Sequence, residues 1–201
     1  MEDLFLTSFP QHYGQASPSL DGLLHETNAS NFEIEDCQEH MNVHLQADLG
    51  MARIENPDLL NLRIFNYEGY INRFSHQFQH GKKRCDFLLA SDNDRYFVLG
   101  ELKDRNPFDD VEQGARKQLL GSLLTILNVP EISAFIDTKP IRNCCYFNKQ
   151  ASAPQVINAT DAFNRINELQ HDGFEMKDHK FMQHGFGYYE FYGAQTMKLT
   201  A

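Results

Sequence analysis

The sequence predicts an α/β protein of the α+β kind, with a mixed central β-sheet flanked by helices. Three observations carry that expectation. Two apolar runs, residues 85–90 and 96–103, are rich in Phe, Leu, Val and Tyr and are joined by Asp92-Asn93-Asp94, which is the chemistry of two strands and a hairpin turn. A long segment, 109–127, sets Leu119, Leu120, Leu123, Leu124 and Leu127 on one broad face, as an amphipathic helix does. Strand-like segments then recur at 132–136, 141–147 and 185–192.

Taken in order, residues 1–31 carry Pro10, Gly14, Pro18 and Gly22 among Ser, Gln and Asn. Little periodicity survives there, which predicts an irregular arm with one short helix around 20–25. Residues 32–201 are expected to form a single domain. Residues 32–49 are mostly polar, with Ile34, Met41, Val43 and Leu45 as apolar points, and fit either a helix or an irregular strand. Asn56-Pro57-Asp58 suits a turn or a helix start, since proline is tolerated in the first helical turn. Leu59, Leu60, Leu62, Ile64, Phe65, Tyr67, Tyr70, Ile71 and Phe74 follow. Spacings of three and four dominate, which predicts helix over much of 57–78, with Gly69 as an interruption. Gly81-Lys82-Lys83-Arg84 reads as a basic turn. Beyond the hairpin, Asp109 and Asp110 suit the start of the long helix, and Pro130 marks its stop. Residues 160–170 predict a short amphipathic helix with Asp161 near its start.

The chain has 201 residues, 41% of them hydrophobic, enough for one domain with a buried core. No window reaches the apolar length of a membrane span. Met1-Glu2-Asp3 is acidic and unlike a signal peptide, so the expected location is the cytoplasm. Cys37, Cys85, Cys144 and Cys145 form no disulfide framework and no C-x-x-C pair; buried thiols in a reducing compartment are expected. The formal net charge of −10 argues against a general nucleic-acid coat protein, because duplex binding draws on Lys and Arg at phosphates. To bind nucleic acid, an acidic chain must concentrate its few cations locally, recruit metal ions or rely on a partner.

The hairpin carries the chemistry. Side chains alternate faces along a strand. If Ser91 faces Tyr96, Asp86 falls opposite Glu101, with Lys103 two residues further on the same face. Two carboxylates placed opposite each other repel, and a divalent cation offsets that most simply. Mg2+ takes a few carboxylate oxygens and keeps positions for water and phosphate. Gly100 beside Glu101 allows close backbone approach.

Asp86, then Glu101-Leu102-Lys103 at the end of an apolar strand, then a helix: this arrangement resembles the PD-(D/E)xK nuclease superfamily, over residues 57–147. The resemblance implies a restriction-endonuclease-like core. It implies that Asp86, Glu101 and the Leu102 carbonyl hold Mg2+ or Mn2+, and that Lys103 lies beside the nucleophilic water. Many members place a Glu on the first core helix, here Glu68. Many place a polar residue on the second, here Gln118, with Gln113 as second choice. Cys85 stands where the family has Pro, which is not a ligand. The expected activity is hydrolysis of phosphodiester bonds in DNA, with RNA as an alternative substrate. Lys82, Lys83 and Arg84 of the basic turn, with Lys117, would contact phosphates. Specificity would come from substrate structure, a protein partner or a homodimer.

The remaining motifs are weaker. Cys37, His40 and His44, or His76 and His80, have the spacing of half a zinc site, but structural zinc wants four ligands, so surface histidines are the simpler reading. The aromatic tail from Phe181 to Tyr192 suits core or dimer packing better than base stacking. The rival to the nuclease is a non-catalytic protein-binding subunit on the same fold, which the acidic balance suits. A cationic cleft around Lys83, Arg84, Lys103 and Lys117 would discriminate between them.

Overall fold

The computed structural model describes residues 1–37, 40–105, 111–150 and 173–201. The chain opens with a π-helical segment, Leu4–Ser8, that runs into α1, Phe9–His12. Strands β1 (Leu24–Thr27), β2 (Asn31–Cys37), β3 (His40–His44) and β4 (Ala52–Glu55) follow. Next come β5 (Leu62–Asn66), α2 (Tyr67–Ile71) and α3 (His76–Gln79). The hairpin is β6 (Phe87–Ser91) and β7 (Tyr96–Lys103). Helices α4 (Val111–Leu127) and α5 (Pro130–Asp137) lead to β8 (Ile141–Asn148). Then come β9 (Phe174–Glu175), α6 (His179–Met182), β10 (Gly187–Tyr192) and β11 (Thr196–Lys198).

Seven strands build one mixed sheet in the order β1-β5-β6-β7-β8-β10-β9, and four build a second in the order β11-β4-β2-β3. In the larger sheet β7, β8 and β10 run parallel. The hairpin's side chains alternate as strand geometry requires. Leu88, Ala90, Phe97 and Leu99 enter a core shared with α4, α5 and the N-terminal helix. Phe87, Leu89, Tyr96 and Val98 enter a core shared with the second sheet. Helices therefore cover one face of the large sheet and the small sheet covers the other, so the α+β class holds with an added β layer.

Several expectations need correction. Residues 1–31 are not an irregular arm: Phe5 and Phe9 are 1% and 0% exposed. They pack on Phe65, Tyr67 and Tyr70, and the Tyr70 hydroxyl donates to the Phe5 carbonyl at 2.6 Å. In place of the helix expected around 20–25, residues 21–23 form a turn that leads into β1, which pairs with β5. Residues 32–49 resolve in favour of strand, as β2 and β3. The helix expected over 57–78 begins only at Tyr67. Leu62 and Ile64 face the second sheet while Phe65 faces the helices, so β5 is apolar on both faces and mimics helical spacing. Residues 132–136 are helical, not extended, because Pro130 occupies the first turn of α5.

Other expectations agree with the structure. Strands β8 and β10 lie where β-like composition placed them. Helix α4 buries Leu119 and Leu123 but leaves Leu124 42% exposed. Asp109, Asp110 and the helix expected at 160–170 lie outside the described residues. No single helix among the described residues is long and apolar enough to cross a membrane. Cys85, Cys144 and Cys145 are buried and Cys37 is exposed, all as free thiols.

Candidate metal centre and cationic cleft

The hairpin register predicted from Ser91 facing Tyr96 runs from Ala90↔Phe97 to Phe87↔Gly100. There it slips. The Asp86 N–H also donates to the Gly100 carbonyl, at 3.0 Å, so two residues of β6's edge address one residue of β7, as in a β-bulge. Gly100 permits this: a Cβ there would lie 2.1 Å from the Phe87 ring. The Asp86 carboxylate consequently reaches past Glu101, and its Oδ2 accepts the Leu102 N–H. Leu102, expected to offer its carbonyl, thus contacts the site through its amide.

The same backbone places Glu68. The Asp86 carbonyl accepts the N–H groups of Tyr67 and Glu68 at 3.0 and 3.4 Å. Asn66 caps α2 by accepting the Gly69 N–H at 2.7 Å. Gly69 lies within α2 rather than interrupting it, and its missing side chain makes room for the cap, because a Cβ would lie 2.8 Å from the Asn66 side chain. The first turn of α2 therefore abuts Asp86. A carboxylate that sequence reasoning missed completes the group: oxygens of Asp36, Glu68 and Asp86 lie within 4.8 Å of one another.

Glu101 is 0% exposed. Its Oε1 accepts from the Lys103 ammonium, while its Oε2 is buried with no hydrogen-bond partner among the described residues. Burial drives the Asp86 carboxyl up to about 7, against the pull of Lys103 and the Leu102 N–H, with Asp36 and Glu68 adding to the rise. Burial and then the Asp86 charge push the Glu101 carboxyl well above its ordinary range. Burial and Asp36 raise Glu68. Burial disfavours the charged form of Lys103, but Glu101 and Asp86 outweigh it and keep the ammonium protonated. Three carboxyl groups, Glu101, Asp86 and Glu68, thus act on one lysine, and the first two are buried. The donor set, all carboxylate oxygen with one oxygen orphaned, fits a hard divalent cation such as Mg2+ or Mn2+.

Beside this group lies a cleft of about 290 Å³ lined by Glu68, Lys82, Lys83, Arg84, Gly114, Lys117 and Gln118. Gln118 donates to the Arg84 carbonyl at 3.1 Å, and Ser122 Oγ accepts the Cys85 N–H at 2.6 Å. These bonds clasp α4 to the basic turn. Gly121 lets them form, since a Cβ would lie 2.5 Å from Lys83 Cβ. Lys83 and Lys117 are exposed, and Arg84 is half-buried with its guanidinium on Asn72 and Gln79.

The structure therefore brings together Asp86, Glu101, Lys103 and Glu68, with Lys83, Arg84, Lys117 and Gln118 around the adjoining cleft. Gln113 is exposed on α4 and does not line it. Lys82, the first lysine of the basic turn, also lines the cleft. His44 is engaged by Glu35 at 2.9 Å, and His76 and His80 are exposed. No family model, curated protein or solved structure matches the chain.

Proposed function

We propose that the chain is a metal-dependent nuclease hydrolysing phosphodiester bonds in DNA, with RNA as the alternative substrate. One observation carries this reading: the cationic cleft and the carboxylate group of Asp36, Glu68 and Asp86 share Glu68. Despite a net charge of −10, four cations line one small cleft at the place where a phosphate would meet the carboxylates. Glu68, Asp86 and Glu101 would hold Mg2+ or Mn2+, which when bound polarises a phosphoryl oxygen and acidifies a coordinated water. Lys83 and Lys117 are free to approach backbone phosphates, and Arg84 adds charge from the cleft wall. Lys103 is fixed by Glu101 and stays protonated, so its ammonium meets charge that develops on the reacting phosphate. Gln118 acts by holding the Arg84 backbone, and so the basic turn, against α4.

The second reading is a non-catalytic protein-binding subunit, favoured by the overall acidic balance. A cleavage assay decides between them, with single-stranded, duplex and branched substrates in Mg2+ or Mn2+, comparing wild type with Glu101→Ala. Metal-dependent cleavage lost in Glu101→Ala, at equal folding, is expected. Cleavage that survives the substitution would overturn the site, and inactivity of wild type on every substrate would favour the binding subunit.

A further inference from the structure

We propose that Asp36 is a cation ligand supplied by the second sheet, so that a bound divalent ion staples the β2–β3 hairpin to the seven-stranded sheet. The inference rests on the metal-dependent reading of the site above and extends it to a residue outside the hairpin motif.

Strand parity makes the first argument. Along β2, Phe32 and Ile34 are 2% and 0% exposed and point into the core between the sheets. Asp36 is the next position on that inward face. Glu35, on the opposite face, is occupied by His44 at 2.9 Å. Where the apolar core ends, the inward position of β2 therefore carries a carboxylate, and that carboxylate meets Glu68 and Asp86.

Distance makes the second. The three carboxylates bring oxygens within 4.8 Å of one another. Oxygens sharing one octahedral ion at 2.0–2.1 Å stand about 3–4 Å apart, so sub-ångström adjustments bring all three into one shell. The third argument is independent of Asp36. Glu101, fully buried beside Asp86, keeps an oxygen with no hydrogen-bond partner among the described residues. A divalent ion bound at this group would give that oxygen a partner. Because β2 belongs to one sheet and Asp86 and Glu68 to the other side of the layer boundary, the ion would cross-link the layers.

The test uses the full chain and Mn2+. Binding is measured by calorimetry for wild type, Asp36→Asn, Asp36→Ser and Asp86→Asn, each first shown to be folded by circular dichroism without metal. Amide hydrogen exchange across Asn31–Cys37 and His40–His44 is followed with and without Mn2+. The expected result is binding weakened about tenfold or more in both Asp36 variants, since even outer-shell losses reach that size. Mn2+ should slow exchange in the hairpin of wild type and leave it unchanged in the Asp36 variants. Wild-type affinity in the Asp36 variants, or hairpin protection that persists in them, would overturn the role of Asp36 while loss of binding in Asp86→Asn left the metal site standing. Absence of Mn2+ binding in wild type would overturn the metal reading itself.

Discussion

Replacing Asp86 with Asn should stabilise the metal-free protein, and the gain should grow with pH. The folded carboxyl is raised from 3.8 to about 7 because it is buried. Between those values the unfolded chain has lost its proton and the folded chain has kept it. Unfolding then releases a proton, so stability falls as pH rises, until the folded group also ionises. From pH 5 to about 7 the fall amounts to about 2.7 kcal/mol, at about 1.36 kcal/mol per unit. The substituted side-chain amide would keep an oxygen for the Leu102 N–H but has no titrating proton, so Asp86→Asn removes this slope. Urea unfolding in a chelator, repeated from about pH 5 to 8 for both proteins, measures the difference directly. The wild type should lose at most about 2.7 kcal/mol relative to the variant across that range, and saturating Mn2+ should reverse the deficit by binding the folded state alone. A difference that stays constant with pH, or that grows toward acid, would refute the reasoning.

Three further outcomes are expected. Lys103→Met should lower kcat about 10²- to 10³-fold in steady-state cleavage, with KM little changed, as loss of a charge-stabilising donor does. Lys117→Ala should weaken substrate binding for all sequences alike and reduce the slope of log affinity against log salt by about 1, read by fluorescence anisotropy in a salt series. Phe9→Ala should cost about 3–5 kcal/mol in urea unfolding; a cost near zero would place the N-terminal segment outside the core.

The central hairpin was legible because two signals agreed. Its two runs rich in Phe, Leu, Val and Tyr marked the strands and its Asp92-Asn93-Asp94 turn set the register, and Asp94 adopts the left-handed conformation that such a turn requires, at φ 58. Parity then placed Asp86, Glu101 and Lys103 together, although the bulge at Asp86 depended on a contact between Gly100 and Phe87 that spacing cannot reveal. Glu68 lies on α2, a far shorter helix than the spacing over 57–78 predicts. Strand β5, apolar on both faces, has no alternation to read, yet α2 still begins where the site needs it. The N-terminal helix was illegible because its partners, Phe65, Tyr67 and Tyr70, lie some sixty residues away in sequence, as the Tyr70-to-Phe5 separation of 65 shows. Asp36 was hidden for a related reason. The order Phe32, Ile34, Asp36 signals an inward carboxylate only once residues 31–37 are known to be a strand. Pro130 was a missed signal: proline ends one helix, but it also starts the next.

The distribution of the four thiols gives the folded protein a single chemical address. Burial pushes the thiols of Cys85, Cys144 and Cys145 up, which leaves them inert to alkylation until the sheet opens. Cys37 is exposed, and a hydrogen bond to Glu35 raises its thiol as well, so it should react with alkylating reagents in mildly alkaline buffer. It follows Asp36 directly in the chain. A fluorophore or spin label placed there without any engineered substitution would sit on the β2–β3 hairpin, on the face of Glu35, reporting that hairpin's motion while the other three sulfurs stay silent.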